Sequence, residues 1–374
     1  MEFKLISNRD GNNYRVNAVS VDGRHLSNGT FTLKTAHLNG AEVNAMLVGG
    51  IGTAPENRRF GLVRNILHEG DLFADSENCV ISVLHPFSFA YYRKFGYERV
   101  SDTKIIEFPM SAINYFSRYE KLLNCTKDEI PLLDKVYNKF AEKRNLLFKR
   151  EGNFGYRIGN NKTSTYLSFD QNGEPDGYIT LNIENYFYVN KMVSVNLNVY
   201  EMAFLSENAL NKLFGFMRMY EGQLESVKIH DAGMMPEVER KLRNYHHTKT
   251  TIIPDIMVRI NDVEGVLNIV EYPVKKGEFT VKVYEPEGTN HCPLKTTGVW
   301  NVKYENKKAV VTKLSDDADY DLKADIPAFT QLIFGYECYG FETAKYICNT
   351  EFKNECEDFF RAFYNRPAGV FEHF

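Results

Sequence analysis

Between Ala41 and Leu67 the sequence reads AEVNAMLVGGIGTAPENRRFGLVRNIL, a strand that runs out into glycines and restarts as a helix. Gly49, Gly50 and Gly52 close the strand, and Pro55 opens the turn. Leu62, Val63, Ile66, Leu67 and Phe73 then recur at helical spacing. Cys79–Leu84 is a near-continuous apolar run, as expected of a strand covered on both faces. The order here is strand–helix–strand. The turn itself carries chemistry. Gly61 lets the backbone come close to a ligand, and the first amides of the following helix point outward without partners. Arg58, Arg59 and Arg64 add positive charge beside that positive helix end, a combination that suits a diphosphate. It is neither a G-K-[ST] phosphate loop nor a G-x-G-x-x-G dinucleotide fingerprint.

Upstream, short strands alternate with hairpin signals. Glu2–Ser7 meets Asp10-Gly11, Val16–Val21 meets Asp22-Gly23, and Phe31–Leu38 meets Asn39-Gly40. Tyr97–Met110 returns to a strand pattern. From about residue 111 a second unit begins. Ile130, Leu133, Tyr137 and Phe140 share one helical face, and Thr165–Phe169 and Tyr178–Ile183 are strands. Val193, Val195, Leu197 and Val199 alternate strictly, and Ser206 caps a helix bearing Leu210, Leu213, Phe214 and Met217. After Ile253-Pro254 the composition shifts again, with strands at Glu278–Tyr284, Val299–Tyr304 and Ala309–Leu314. Helices are expected at Ile326–Phe334, Phe341–Cys348 and Phe352–Tyr364. The 374 residues accommodate two to three domains at ~150 residues each.

The net charge of −4 gives no chain-wide basic footprint, so neither nucleic acid nor an anionic membrane surface is an expected partner. The six cysteines, Cys79, Cys125, Cys292, Cys338, Cys348 and Cys356, contain no C-x-x-C pair and do not suggest a disulfide framework. The first residues lack an apolar signal core, and no run approaches the ~20 apolar residues of a membrane span. A cytoplasmic location is the expectation. His246-His247 lacks carboxylate–histidine spacing, so no metal is expected.

The stretch Val48–Tyr97 resembles motif A of the GNAT superfamily, in which Arg/Gln-x-x-Gly-x-Gly/Ala cradles the pyrophosphate of acetyl-CoA. Together, the PENRRFGLVR and YRKFGY runs closely resemble one branch, the enhanced intracellular survival (Eis) proteins. These are cytoplasmic N-acetyltransferases with tandem GNAT-like domains and a sterol carrier protein-like C-terminal domain. LDKVYNKFAEKRN and GEPDGYITLNIE resemble the middle domain; VWNVKYENKKAVVTK, the Asp325–Gly340 helix and the aromatic C-terminus resemble the third. The resemblance implies an α+β fold of two mixed central sheets flanked by helices, plus a sterol carrier-like α/β domain. The implied boundaries are 1–110, 111–255 and 256–374, with the coenzyme motif in the first domain and missing from the second. It implies acetyl-CoA as co-substrate, an amine acceptor (an aminoglycoside, a polyamine or a lysine-like group) and a homo-oligomer, commonly a hexamer.

Carried over by position, Ile51, Gly52 and Thr53 match the strand that pairs with the pantetheine arm. Arg58, Arg59, Gly61, Leu62, Val63 and Arg64 fall in the pyrophosphate loop and its helix start. Tyr92 matches the tyrosine that protonates the departing thiolate, and Phe374 the terminal residue whose α-carboxylate serves as base. His85 and Glu372 fall on the acceptor side; His85 is equally readable as a structural histidine, and Tyr91 as packing. The helix around Phe359, Phe360, Phe363 and Tyr364 reads as core, with a lipid tunnel as the alternative. The family places two helices between its first two strands, whereas Asn8–Tyr14 here leaves room for a turn only. The chain also ends Glu-His-Phe, where the family has its acidic residue next to last. A coenzyme A-binding or small apolar ligand-binding protein without catalysis is the alternative reading.

Overall fold

The computed structural model describes residues 2–152, 158, 162–188, 191–243, 245–286, 295–364, 366–372 and 374. The chain divides into two compact units, Met1–Ser101 with Asp255–Phe374, and Asp102–Pro254.

The first unit begins with an antiparallel meander of β1 (Phe3–Asp10), β2 (Asn13–Ser20), β3 (His25–Leu38) and β4 (Ala41–Thr53). Asn39 and Gly40 both have positive φ, 46° and 86°, as a two-residue hairpin between right-twisted strands requires. Helix α1 (Leu62–Ser76) then crosses to β5 (Ile81–Leu84), which pairs parallel with β4. Helix α2 (Phe89–Arg93) and the short β6 (Glu98–Arg99) follow. One face of α1 is apolar because Leu62, Ile66, Leu67, Phe73 and Ala74 recur at helical spacing. All are buried, in one cluster with Phe31, Met46, Val48 and Leu84.

The expected continuous strand Tyr97–Met110 is interrupted. Val100 N–H donates to Ile256 O, and Ser101 Oγ donates to Ala368 O. Ser101 O accepts from the N–H groups of Asp255 and Ile256, which lie outside any strand, and β7 (Asp102–Pro109) belongs to another sheet. That sheet forms the second unit with β8 (Leu123–Asn124), β9 (Ser164–Phe169), β10 (Pro175–Tyr188), β11 (Lys191–Phe204), β12 (Ser226–Ile229) and β13 (Lys249–Pro254). Its order is β13-β7-β12-β11-β10-β9-β8. Helices α3 (Ile130–Ala141), α4 (Glu207–Met217) and α5 (Pro236–Arg240) belong to the same unit. Leu133, Tyr137 and Phe140 are buried on α3, and the Ser206 side chain caps α4 by accepting from Ala209 N–H. The side chains of Val193 and Val195 lie outside the described residues; Leu197 and Val199 are buried as their alternation requires.

The chain then returns to the first unit. β14 (Met257–Ile260) inserts between β5 and β6, giving the order β1-β2-β3-β4-β5-β14-β6. After α6 (Val263–Ile269), a third sheet is built from β15 (Gly277–Tyr284), β16 (Gly298–Glu305), β17 (Lys308–Leu314) and β18 (Leu322–Asp325). Helices α7 (Ile326–Phe334) and α8 (Phe341–Ala344), strand β19 (Thr350–Phe352) and helix α9 (Glu357–Ala362) complete the chain's regular elements. The two last helices are shorter than their periodicity suggests. Cys356 at φ 47° takes left-handed backbone that an α-helix cannot continue through, so the last helix begins only at Glu357. Phe359 and Phe363 are buried and ring-packed on Phe279, so this aromatic face is core. Among the described residues no helix is long and apolar enough to cross a membrane.

Burial pushes the phenols of Tyr97, Tyr178 and Tyr272 above the ordinary tyrosine value. The folded state therefore keeps protons that the unfolded chain releases above pH ~10. Stability tied to these groups is fully present below that value and lost as pH rises beyond it, by about 1.4 kcal/mol per pH unit per tyrosine. Urea unfolding midpoints are expected to hold between pH 8 and 9 and to fall steeply from 10 to 11. A flat profile would mean that these phenols are not buried in the folded protein.

Candidate active site

The parallel register between β4 and β5 stops at Leu47↔Val83, while β4 continues six residues further against β3 to Ser27↔Thr53. The carboxyl end of β4 thus separates from β5. Within this stretch β4 holds an extra residue. Thr30 pairs with Gly49 but Asn28 pairs with Gly52, which makes a bulge. Gly50 takes φ 59° there, and Asn28 Nδ2 donates to its carbonyl at 2.5 Å. The backbone is re-aimed where main-chain groups face the gap.

The loop that follows bends twice through left-handed backbone, at Arg59 (φ 69°) and at Gly61 (φ 76°), the residue capping α1. No side chain caps this 15-residue helix, and its first turn holds no acidic residue. Its leading amides are left for a ligand. Leu62 is buried and Val63 half-buried, fixing the helix start on the core, while Arg58, Arg59 and Arg64 are exposed. None of the three arginines forms an ion pair among the described residues; Arg58 Nε reaches back to Thr53 O at 3.4 Å. Backbone, helix dipole and three uncommitted cations fit a diphosphate-bearing ligand such as coenzyme A.

Tyr92 lies on α2, whose start is capped by Ser88 Oγ accepting from Tyr91 N–H. Its ring is 3% exposed and packs edge-on against Tyr91 and Tyr97, with Phe87 5.2 Å away. It belongs to the same apolar cluster as Val48, and Ile51 packs on that cluster. Burial first, and the neighbouring Tyr91 second, raise its pKa, so the phenol stays protonated. Its hydroxyl makes no hydrogen bond to any described residue, which leaves a proton donor uncommitted.

His85 follows directly on β5. Its Nδ1 lies 2.8 Å from Asp255 Oδ1 and its Nε2 3.4 Å from Glu372 O. Its ring lies 4.8 Å from that of Phe374. The main chain of Phe374 reaches the bulge itself: a Cβ added to Gly49 would stand 3.1 Å from its carbonyl carbon. The fold thus brings together residues from the end of β4, the α1 start, the segment after β5, Glu372 and Phe374. Two contributors escaped the sequence reading. Asn28 and Asp255 reach the site only through strand pairing, and no local pattern marks either. On the acceptor side, β1 and β2 join through Gly11 and Asn12 alone, without the two helices that the family resemblance implies.

Residues 12–100 match the family model described as an acetyltransferase (GNAT) domain. The sequence has no match among curated proteins. Among solved structures, a GCN5-related N-acetyltransferase from Anabaena variabilis superposes with a TM-score of 0.80 at 18% identity, covering 96% of this chain and 89% of that one. A probable N-acyltransferase of unknown function from Enterococcus faecalis gives 0.79 at 18%, covering 97% and 90%. Eis1 from Mycobacterium abscessus gives 0.76 at 13%, covering 96% and 91%. At these identities the likeness is one of fold. Residues 12–100 thus match a GNAT acetyltransferase domain, and the solved structures share the fold of nearly the whole chain.

Proposed function

We propose that the protein is an acetyl-CoA-dependent N-acetyltransferase that passes the acetyl group directly to a primary amine of an aminoglycoside, polyamine or lysine-like acceptor. The observation that carries this reading is the bulged, separated end of β4 beside an uncapped helix start with three arginines free of ion pairs. Arg58, Arg59 and Arg64, with the amides from Gly61 to Val63, hold the pyrophosphate. The backbone of Ile51–Thr53 aligns the pantetheine arm and offers N–H groups to the thioester oxygen. Tyr92 donates its proton to the sulfur as the carbon–sulfur bond breaks. The α-carboxylate of Phe374 takes up the amine proton through water, since a group of pKa ~3.5 is a weak base in direct contact. His85 and Glu372 line the acceptor side.

The fold likeness to Eis1 over nearly the whole chain supports a wider reading. Residues 1–110 are then the coenzyme-binding domain, 111–255 a second GNAT-like domain without that motif, and 256–374 a sterol carrier-like domain, in a cytoplasmic homo-oligomer. The short β1–β2 turn argues for an acceptor pocket more open than the family pattern.

Isothermal titration with acetyl-CoA tests the central claim. Micromolar binding is expected for the wild type, with affinity ~30–1,000-fold weaker in the Arg58→Ala/Arg59→Ala double variant, since each lost charge-assisted contact is worth about 1–2 kcal/mol. Absence of binding by the folded wild-type protein would overturn the assignment.

A further inference from the structure

We propose that Glu98 clamps Arg93 and thereby sets the direction of the Tyr92 phenol, which makes Glu98 a positioning residue of the transfer reaction. The clamp stands on geometry alone, and its catalytic consequence rests on the acetyltransferase reading. Helix α2, which carries Tyr92, is five residues long, and a helix so short does not hold itself together in water. Its course is set by what closes its ends. At the start, Ser88 Oγ accepts from Tyr91 N–H. At the other end, Tyr92-Arg93-Lys94-Phe95-Gly96-Tyr97 folds back on itself. Gly96 takes φ 78°, its N–H donates to Arg93 O at 3.1 Å, and Tyr97 N–H donates to Tyr92 O at 3.3 Å. These are the two bonds of a glycine-ended helix terminus of the Schellman type, and the Tyr92 and Tyr97 rings meet edge-on across it.

That turn holds the main chain of Tyr92, but it does not fix how α2 lies on the sheet. The ion pair just outside it does. Arg93 Nε and Nη2 donate to Glu98 Oε2 and Oε1, both at 2.8 Å, a two-pronged fork that locks the guanidinium plane. Glu98 Oε1 also accepts from Arg99 N–H at 2.8 Å. The carboxylate is the rooted partner. It stands on β6, whose Glu98 pairs with Val258 of β14, and its side chain is 11% exposed against 53% for Arg93. The fork therefore ties the end of α2 to the sheet. Loss of the Glu98 charge releases the arginine to solvent and lets α2 rock on its turn. The phenol oxygen lies at the far end of the ring, where a small rotation of the helix moves it most. Proton donation needs hydrogen-bond reach of the sulfur, so transfer slows with the fraction of time the phenol spends out of place.

Two readouts on the full-length chain separate the clamp from its consequence. The first is amide hydrogen exchange by mass spectrometry in wild type and Glu98→Gln. Exchange at least ~10-fold faster is expected in peptides spanning 89–97, with peptides of α1 at wild-type rates. Unchanged exchange over 89–97 overturns the clamp, whether or not the protein transfers acetyl groups. Equal acceleration in α1 overturns it too, because a general loss of stability then accounts for the change. The second readout is steady-state kinetics on a cycle of Glu98→Gln, Tyr92→Phe and the double variant. Glu98→Gln alone is expected to lower kcat ~10–30-fold with the KM for acetyl-CoA within twofold. In the Tyr92→Phe background the same change is expected to lower kcat less than twofold, since the group it positions is already gone. An equal loss in both backgrounds, or no loss in the wild type, overturns the positioning role. Failure of acetyl-CoA to bind the wild type removes the functional reading and the positioning role with it, and the exchange result still decides the clamp.

Discussion

Tyr92→Phe is expected to reduce kcat by ~10²–10³-fold while acetyl-CoA affinity stays within twofold of wild type. The substitution removes one oxygen and keeps the ring that packs against Tyr91, Tyr97 and Phe87, so the fold has little reason to respond. What is lost is a proton source. Expelling a thiolate without a proton places charge on sulfur in a site where the phenol is almost wholly desolvated, and only water can then supply the proton. The raised pKa makes the prediction sharper in pH. A tyrosine of ordinary acidity would lose its proton near pH ~10, producing an alkaline fall in kcat. Burial holds Tyr92 in its neutral form beyond that point, so no such limb is expected up to pH 10 in the wild type. Measured with saturating acetyl-CoA and an amine panel, a kcat within threefold of wild type would remove Tyr92 from the chemistry.

Local patterns carried much of this architecture. The glycine run, the arginines and the apolar spacing of α1 are contiguous, so a strand–loop–helix unit is legible in the sequence itself. Asp325 and Gly335 bracket α7 at both ends, and the expected span Ile326–Phe334 coincides with the observed one. Legibility ends where the deciding contact is distant. Val100 and Ser101 continue a strand pattern locally, and main-chain bonds to Asp255 and Ile256 divert them from it. The segment Met257–Ile260 is a four-residue apolar run in sequence; its place between β5 and β6 follows from pairing with strands more than 150 residues earlier. The same holds at the site. Arg58, Arg59 and Gly61 announce themselves by proximity, whereas Asn28 and Asp255 are ordinary polar residues until the sheet brings them in. Tyr92 was distinguishable from Tyr91 by motif position alone, since both rings join one aromatic group and only burial separates them further.

Arg259→Leu is expected to cost about 3–5 kcal/mol of folding stability, enough to remove a large part of the margin of an ordinary domain. Arg259 lies on β14 and is 2% exposed. Burial works against its charge, but Asp71 at 3.4 Å and Glu285 at 3.2 Å more than compensate, so the guanidinium stays ionised. Around this trio Thr296 Oγ1 donates to Glu285, and Asn261, itself 3.4 Å from Arg259, donates to Ser82 Oγ. Removing the cation takes the buried positive charge from between two carboxylates with 9% and 12% exposure, and their unbalanced charge, more than the lost attraction, sets the penalty. The combined variant Arg259→Leu/Asp71→Asn/Glu285→Gln is therefore expected to recover most of the stability that the single change removes. Urea unfolding of the three proteins distinguishes this from simple loss of packing, in which the triple variant would be the least stable. Asp71 lies on α1, nine residues from the helix start that presents Gly61 and the arginines. The buried trio thus ties β14 to α1, whose start is the site proposed for the pyrophosphate. A single Arg259→Leu variant that folds at low temperature should bind acetyl-CoA more weakly, and the triple variant should regain that affinity along with its stability.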